Sequence, residues 1–180
     1  PVGNPFPDDS KAAAIVALQN SHLELYDPDT GAVLPSNIGS ACTAAGATAT
    51  MPDWSPDGKT VALTTTPDPG HWIDVSDARV ATMDYSFSGG MHAFSDAKTL
   101  FGPVNIPQGN YTNFFFPAFS PDGSVIVTNG ARAPWRNFQD GASPGQRLFL
   151  ADPKGGWVVD LLAANGSNDM NITWPRWAPL

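Results

Sequence analysis

Side chains with chemical reach gather in two runs. The first offers His71, Trp72, Asp74, Asp77 and Arg79, and the second offers Arg132, Trp135, Arg136 and Asn137. Indoles and guanidinium groups at this density suit recognition. Trp and Arg are frequent anchors of protein interfaces, and flat rings also stack on sugars or peptides. The competing role is structural, because a long loop needs apolar anchors and Trp72 and Trp135 can serve as such. We take His71, Trp72, Asp74, Arg79, Arg132, Trp135 and Arg136 as the candidate binding residues.

Patterns that would signal catalysis fail on detail. Gly141-Ala142-Ser143-Pro144-Gly145 has the spacing of a nucleophile elbow. That elbow needs a main-chain N–H on the residue after serine, and Pro144 has none. Asp27-x-Asp29 lacks the further oxygen ligands of a calcium loop, so turn chemistry accounts for it. His22, His71 and His92 are scattered, with no pair at metal-ligand spacing. Cys42 is the sole cysteine, which excludes an intrachain disulfide, and it reads as a small buried residue. There is no phosphate-binding glycine loop and no dinucleotide fingerprint. No catalytic residue, metal or cofactor is expected from this sequence.

Composition narrows the class further. The 180 residues are 42% hydrophobic and 14% charged, the balance of one ordered domain. Eighteen prolines and 17 glycines suit short strands and turns better than helices. A formal net charge of −8 argues against nucleic acid as a partner, and no apolar run is long enough for membrane insertion.

The elements that must hold the two runs are announced by a repeat. Met51–Leu63 reads MPDWSPDGKTVAL, and its first six positions recur at 116–121 and 174–179. The shared pattern is apolar, Pro, any residue, aromatic, Ser or Ala, Pro. In the first copy Pro52 marks a strand start or an irregular pairing, because it lacks an N–H. Trp54 points an aromatic ring at a core, and Pro56-Asp57-Gly58 makes a tight turn. The second copy supplies Pro117, Phe119, Pro121, Asp122 and Gly123 in the same roles, and the third begins with Pro175 and Trp177. Pro7-Asp8-Asp9-Ser10 is a worn copy after an irregular lead-in. The turn prolines of the copies are Pro7, Pro56, Pro121 and Pro179, at intervals of 49, 65 and 58 residues.

Each interval holds a second hairpin. Asp27-Pro28-Asp29-Thr30-Gly31 turns between His22–Tyr26 and Ala32–Leu34, and Asp152–Gly156 turns between Arg147–Leu150 and Trp157–Leu161. In the middle unit Ser95-Asp96-Ala97-Lys98 is expected to turn between Met91–Phe94 and Thr99–Phe101. On that reading His22 and His92 occupy matching positions just before these turns. Four short strands, a to d, at this period are the signature of a β-propeller blade.

The motif resembles that of the TolB-like β-propeller family, φ-P-x-[W/F]-S-P-D-G-K. Residues 51–63 and 116–128 match it closely, 174–180 its first part and 5–18 weakly. The resemblance implies an all-β fold: a propeller segment of about three blades, 5–50, 51–115 and 116–173, with the start of a next blade at 174–180. It also implies a bacterial, extracytoplasmic (periplasmic or secreted) protein that binds a protein or peptide and is not itself an enzyme. The alternatives are the propeller part of a peptidase or lyase, or of a c-type cytochrome-like redox protein, with the active part outside this chain. Because the chain stops where the motif's Asp-Gly comes next, it is expected to pair with the remaining blades of the same propeller or with another chain.

Antiparallel order also assigns the loops. The a–b and c–d turns lie at one end, and the b–c loops with the d–a connectors lie at the other. The two candidate runs fall in the long b–c loops Thr65–Gly90 and Gly130–Gln146, so both are expected at the same end.

Overall fold

A computed structural model describes residues 2–6, 11–18, 22–44, 46, 48–67, 74–75, 77–95, 97–132, 135–136, 146–161, 166 and 175–177. Three antiparallel sheets follow one another along the chain. The first contains β1 (Val2–Gly3), β2 (Ala14–Ala17) and β3 (Leu23–Tyr26), with a single bridge from Tyr26 to Val33 in place of a fourth strand. The apparently irregular lead-in therefore contains the innermost strand: Val2 pairs with Ile15 and Gly3 with Ala14. A short helix, α1 (Ile38–Thr43), leads into the second sheet.

The second sheet holds β4 (Thr48–Trp54) and β5 (Thr60–Thr66), then, after the two-residue β6 (Asp74–Val75), β7 (Arg79–Ser88), β8 (Met91–Phe94) and β9 (Lys98–Thr99). Here one expectation is corrected. The third strand is β7, and the turn that follows is Gly89-Gly90, with φ of 59° and 80°. Two consecutive left-handed residues make the tight hairpin whose twist suits antiparallel strands, and glycine takes that shape without a Cβ penalty. Met91–Phe94 is the fourth strand, not the third, and Lys98–Thr99 extends it by pairing further along β7. His92 therefore follows its c–d turn while His22 precedes β3, so the two histidines are not equivalent. Within 65–90 the loop is shorter than expected, because Arg79–Ser88 is strand.

A connector hairpin, β10 (Val104–Ile106) and β11 (Gly109–Tyr111), precedes the third sheet. That sheet is built from β12 (Asn113–Phe119), β13 (Ile126–Ala131), β15 (Gln146–Ala151) and β16 (Val158–Asp160), with the two-residue β14 (Trp135–Arg136) between β13 and β15.

Alternation explains the packing. On β5, Val61 and Leu63 join Ile15, Leu23 and Leu25 of the first sheet in one core, which also takes Ile38, Ala41 and Cys42 from α1. Ala62 points the other way, onto Phe119 and Ile126 of the third sheet. On β7, Met83 and Tyr85 face the first sheet while Val80 meets Phe114 and Phe149 of the third. The middle sheet is thus covered on both faces along β4 and β5, which carry no exposed position. Each such large apolar side chain contributes roughly 1.5–3 kcal/mol by burial. On the third sheet's far side Val159 remains 48% exposed, next to an outer-strand Trp157 at 44%.

The repeated motif is a structural device in every described copy. Met51 and Phe116, its first residues, have φ of 51° and 53°, and the ladder slips at both points. A bulky residue in this region costs about 1–3 kcal/mol. Pro52 and Pro117 follow inside the slip, where no ladder donor is required, which is the irregular pairing that a strand proline predicts. The two Ser-Pro-Asp-Gly turns then superpose bond for bond. Ser55 and Ser120 donate their hydroxyls to Asp57 at 2.7 Å and Asp122 at 2.6 Å, and each serine oxygen accepts the N–H five residues on. Gly58 and Gly123 close the turns with φ of 68° and 72°.

Candidate binding face

The strand order sends the b–c loops and d–a connectors to one end, and the main chain there is knitted across sheets. β6 and β14, one from each long loop, form a small antiparallel ladder in which Val75 pairs with Trp135 and Asp74 with Arg136. Loops of neighbouring blades are thereby joined as a single platform. Three of the candidate residues, Asp74, Trp135 and Arg136, sit in this ladder. His71 and Trp72 lie outside the described residues.

The remaining two candidates hold loops in place. Arg79 opens β7 and donates from Nη1 to the carbonyl oxygens of Ala78, at 3.1 Å, and Thr112. The second contact crosses from the middle sheet to the start of the third sheet's innermost strand. Asn113 reinforces the same seam by accepting the Ala78 N–H at 3.3 Å. Arg132 is exposed and reaches back to the connector hairpin, donating to the Gln108 carbonyl at 3.3 Å with its guanidinium 6.0 Å from the centre of the Tyr111 ring. Gly109 is needed below it: with φ of 140°, any Cβ there would lie 2.9 Å from the Arg132 side chain.

Two further organisers were not singled out from the sequence, the first of them at this end. Arg147 is fully buried and makes a two-pronged pair with Asp160, at 3.1 and 2.7 Å, while donating to the Gly166 carbonyl at 3.0 Å. It fastens the third sheet's outgoing connector to the sheet itself. Asn37 pairs both ways with the main chain of Phe94 at 2.7 Å, which ties the entry of α1 to the second sheet's outer strand. An isolated Arg or Asn in a strand-rich sequence carries no local signal for such roles, since the partners lie 13 and 57 residues away.

Several titratable groups are accounted for by packing. Cys42 is buried and its thiol is pushed up to about 12, so it is an inert apolar filler at neutral pH. His92 is buried with Nδ1 2.9 Å from the Tyr85 hydroxyl, and burial lowers its pKa, which keeps the ring neutral at pH 7. Among the described residues no group of three or more His, Cys, Asp or Glu side chains is placed to hold a metal ion. Among the described residues no helix is long and apolar enough to cross a membrane.

At the opposite end the tight turns pack on one another. A Cβ on Gly58 would lie 2.3 Å from the Phe6 ring, and one on Gly123 would lie 3.4 Å from Pro56. Each turn glycine therefore receives an apolar residue from the preceding sheet. The motif aromatics add tethers in the same direction. Trp54 donates its indole N–H to the Val2 carbonyl at 3.2 Å, and Trp177 donates to the Ala118 carbonyl at 3.0 Å.

This architecture defines the class as an antiparallel β-propeller segment, and comparison with solved structures agrees. The chain is similar to a putative TolB from Agrobacterium tumefaciens, with a TM-score of 0.50 and 19% identity over 86% of this chain and 46% of the other. Weaker likenesses are to a puromycin hydrolase mutant (TM-score 0.34, 16% identity, 83% of this chain, 28% of the other) and TolB from Acinetobacter baumannii (0.26, 16%, 86% and 41%). The chain spans about half the length of the Agrobacterium protein. No family model matches the chain. No curated protein matches it either. The fold is TolB-like.

Proposed function

We propose that the chain is a non-catalytic propeller scaffold from a bacterial extracytoplasmic protein, and that its loop end binds a protein or peptide. The observation that carries this reading is the β6–β14 ladder, which joins two long loops from adjacent blades into one surface. Loops on a rigid scaffold are where recognition residues concentrate, and Trp and Arg are suited to the centre of such a contact. The TolB-like fold and the motif support the extracytoplasmic setting. The three sheets would be completed by further blades, covering the exposed side of the third sheet.

The test places a photo-crosslinking residue at Trp72 or Trp135, and at Pro56 or Pro121 as controls from the tight-turn end. Exposure to a bacterial periplasmic extract is expected to give one discrete protein adduct from the loop positions and none from the turn positions. Adducts of equal yield from both ends would overturn the assignment of the face.

A further inference from the structure

The third position of the motif is the one that varies: Asp53, Ala118 and Arg176, between near-constant neighbours. Asp53 makes more of its place than a strand residue needs to. Its Oδ2 accepts the Phe119 N–H of the next sheet at 2.8 Å. Its Oδ1 lies 3.5 Å from the guanidinium of Arg176, in the segment 175–177 beyond the third sheet. Ala118 stands between them with only a methyl group, so the carboxylate and the guanidinium can meet across it. The Ala118 carbonyl takes the Trp177 indole.

These contacts also explain an irregularity. Trp54 and Trp177 tether their strands to the preceding sheet through an indole N–H, but Phe119 has none to give. Asp53 supplies the missing link from the other side. Burial pushes its carboxyl above the ordinary value, while the Phe119 N–H and the Arg176 charge favour the ionised form.

We propose that Asp53, Ala118 and the Phe119 main chain form a docking seat for a motif segment bearing a cation followed by tryptophan. The third motif position then acts as a pairing code, by which one blade selects the motif segment two copies on. The occupant in this chain is 175–177. The seat extends the interface already made between the second and third sheets, and its chemistry defines its partner: the cation answers Asp53 and the indole N–H answers the Ala118 carbonyl.

Hydrogen–deuterium exchange on the full chain tests this at the amides of 176 and 177, with β13 as the internal reference. Asp53→Asn keeps an acceptor for Phe119 and removes the charge. Exchange at 176 and 177 is expected to rise about two- to fivefold, the range of a partly exposed ion pair. Arg176→Gln is expected to match it, and the double variant to add nothing beyond either single change, whereas Arg176→Lys retains protection. Trp177→Phe is expected to add to Asp53→Asn, since it removes a different bond. Unchanged exchange in Asp53→Asn, additive effects of Asp53→Asn and Arg176→Gln, or an equal rise in β13 would each overturn the seat. Any of these leaves the loop-face reading intact, because the seat is built from innermost-strand residues remote in chain order from both long loops.

Discussion

The two ends of the sheets are held together by different means. At the tight-turn end the links are short-range and repeated: a serine, an aspartate and a left-handed glycine make each turn, and each glycine accepts an apolar residue from the sheet before. At the loop end the links are long-range and individual: Arg79, Arg132 and Arg147 each grasp a different carbonyl or carboxylate. The first arrangement can be copied from blade to blade with the motif. The second leaves loop length and composition free, provided one polar side chain per loop reaches an anchor. A scaffold that must vary at one end only is well served by this division.

The contrast is tested hardest at Arg147. Replacing it by Met leaves the Asp160 carboxylate without its buried counter-charge, and a loss of about 3–5 kcal/mol is expected. Arg132→Met, at the same end but exposed, is expected to cost about 1 kcal/mol or less. Denaturant midpoints of the two variants measure the difference. Equal losses would mean that burial does not grade the loop anchors.

The turn glycines come next. Gly58→Ala and Gly123→Ala both force a left-handed alanine, at about 1–2 kcal/mol each. Gly58→Ala must also displace the Phe6 ring from 2.3 Å, whereas the new methyl at 123 meets Pro56 at an ordinary 3.4 Å. Thermal unfolding should therefore show the larger loss for Gly58→Ala. The reverse order would remove the inter-sheet role assigned to the turns.

A smaller effect is expected from Ser120→Ala. It deletes the donor to Asp122 and the acceptor for the Val125 N–H, and the loss of both at this turn is expected to cost about 1 kcal/mol in all. Ser55→Ala should match it, because the two turns share their bonds.

The smallest effect is one of pH. Hydrogen bonds from Ser120, and from the Ser124 N–H and hydroxyl, lower the Asp122 pKa from its ordinary 3.8 to about 2. A carboxylate depressed in the folded state stabilises it above its unfolded pKa. That contribution is lost as pH falls from about 4 through about 2. Unfolding followed from pH 5 to pH 2 should show a slope that Asp122→Asn reduces. An unchanged slope would deny the aspartate its part in the turn.

How far the chain was legible depends on the range of each interaction. Met51–Leu63 and its copies were readable because a turn is built from neighbours: Pro56 presets φ, Asp57 accepts the Lys59 N–H, Gly58 goes left-handed. The Asp27 and Asp152 turns were readable for the same reason, and both form as expected. The middle unit misled because Asp96-Ala97-Lys98 between two apolar runs looks like a turn. The competing signal was Gly89-Gly90 after the alternation Ala81, Met83, Tyr85, and that pattern outweighs a polar triplet. The candidate face was half legible. Topology sent the two loops to one end, but their pairing through β6 and β14, and the use of Arg79 and Arg132 as loop anchors, required contacts that no local pattern encodes.

Sequence alone therefore determined the strand-and-turn alphabet, the repeat and the all-β class, because these rest on backbone preferences and period-two burial within a few residues. Folding settled the rest: which strand is third in the middle blade, which arginines are spent on structure, and what Asp53 touches. Those outcomes depend on groups 13 or more residues apart meeting at hydrogen-bond distance, and that proximity exists only once the sheets have stacked.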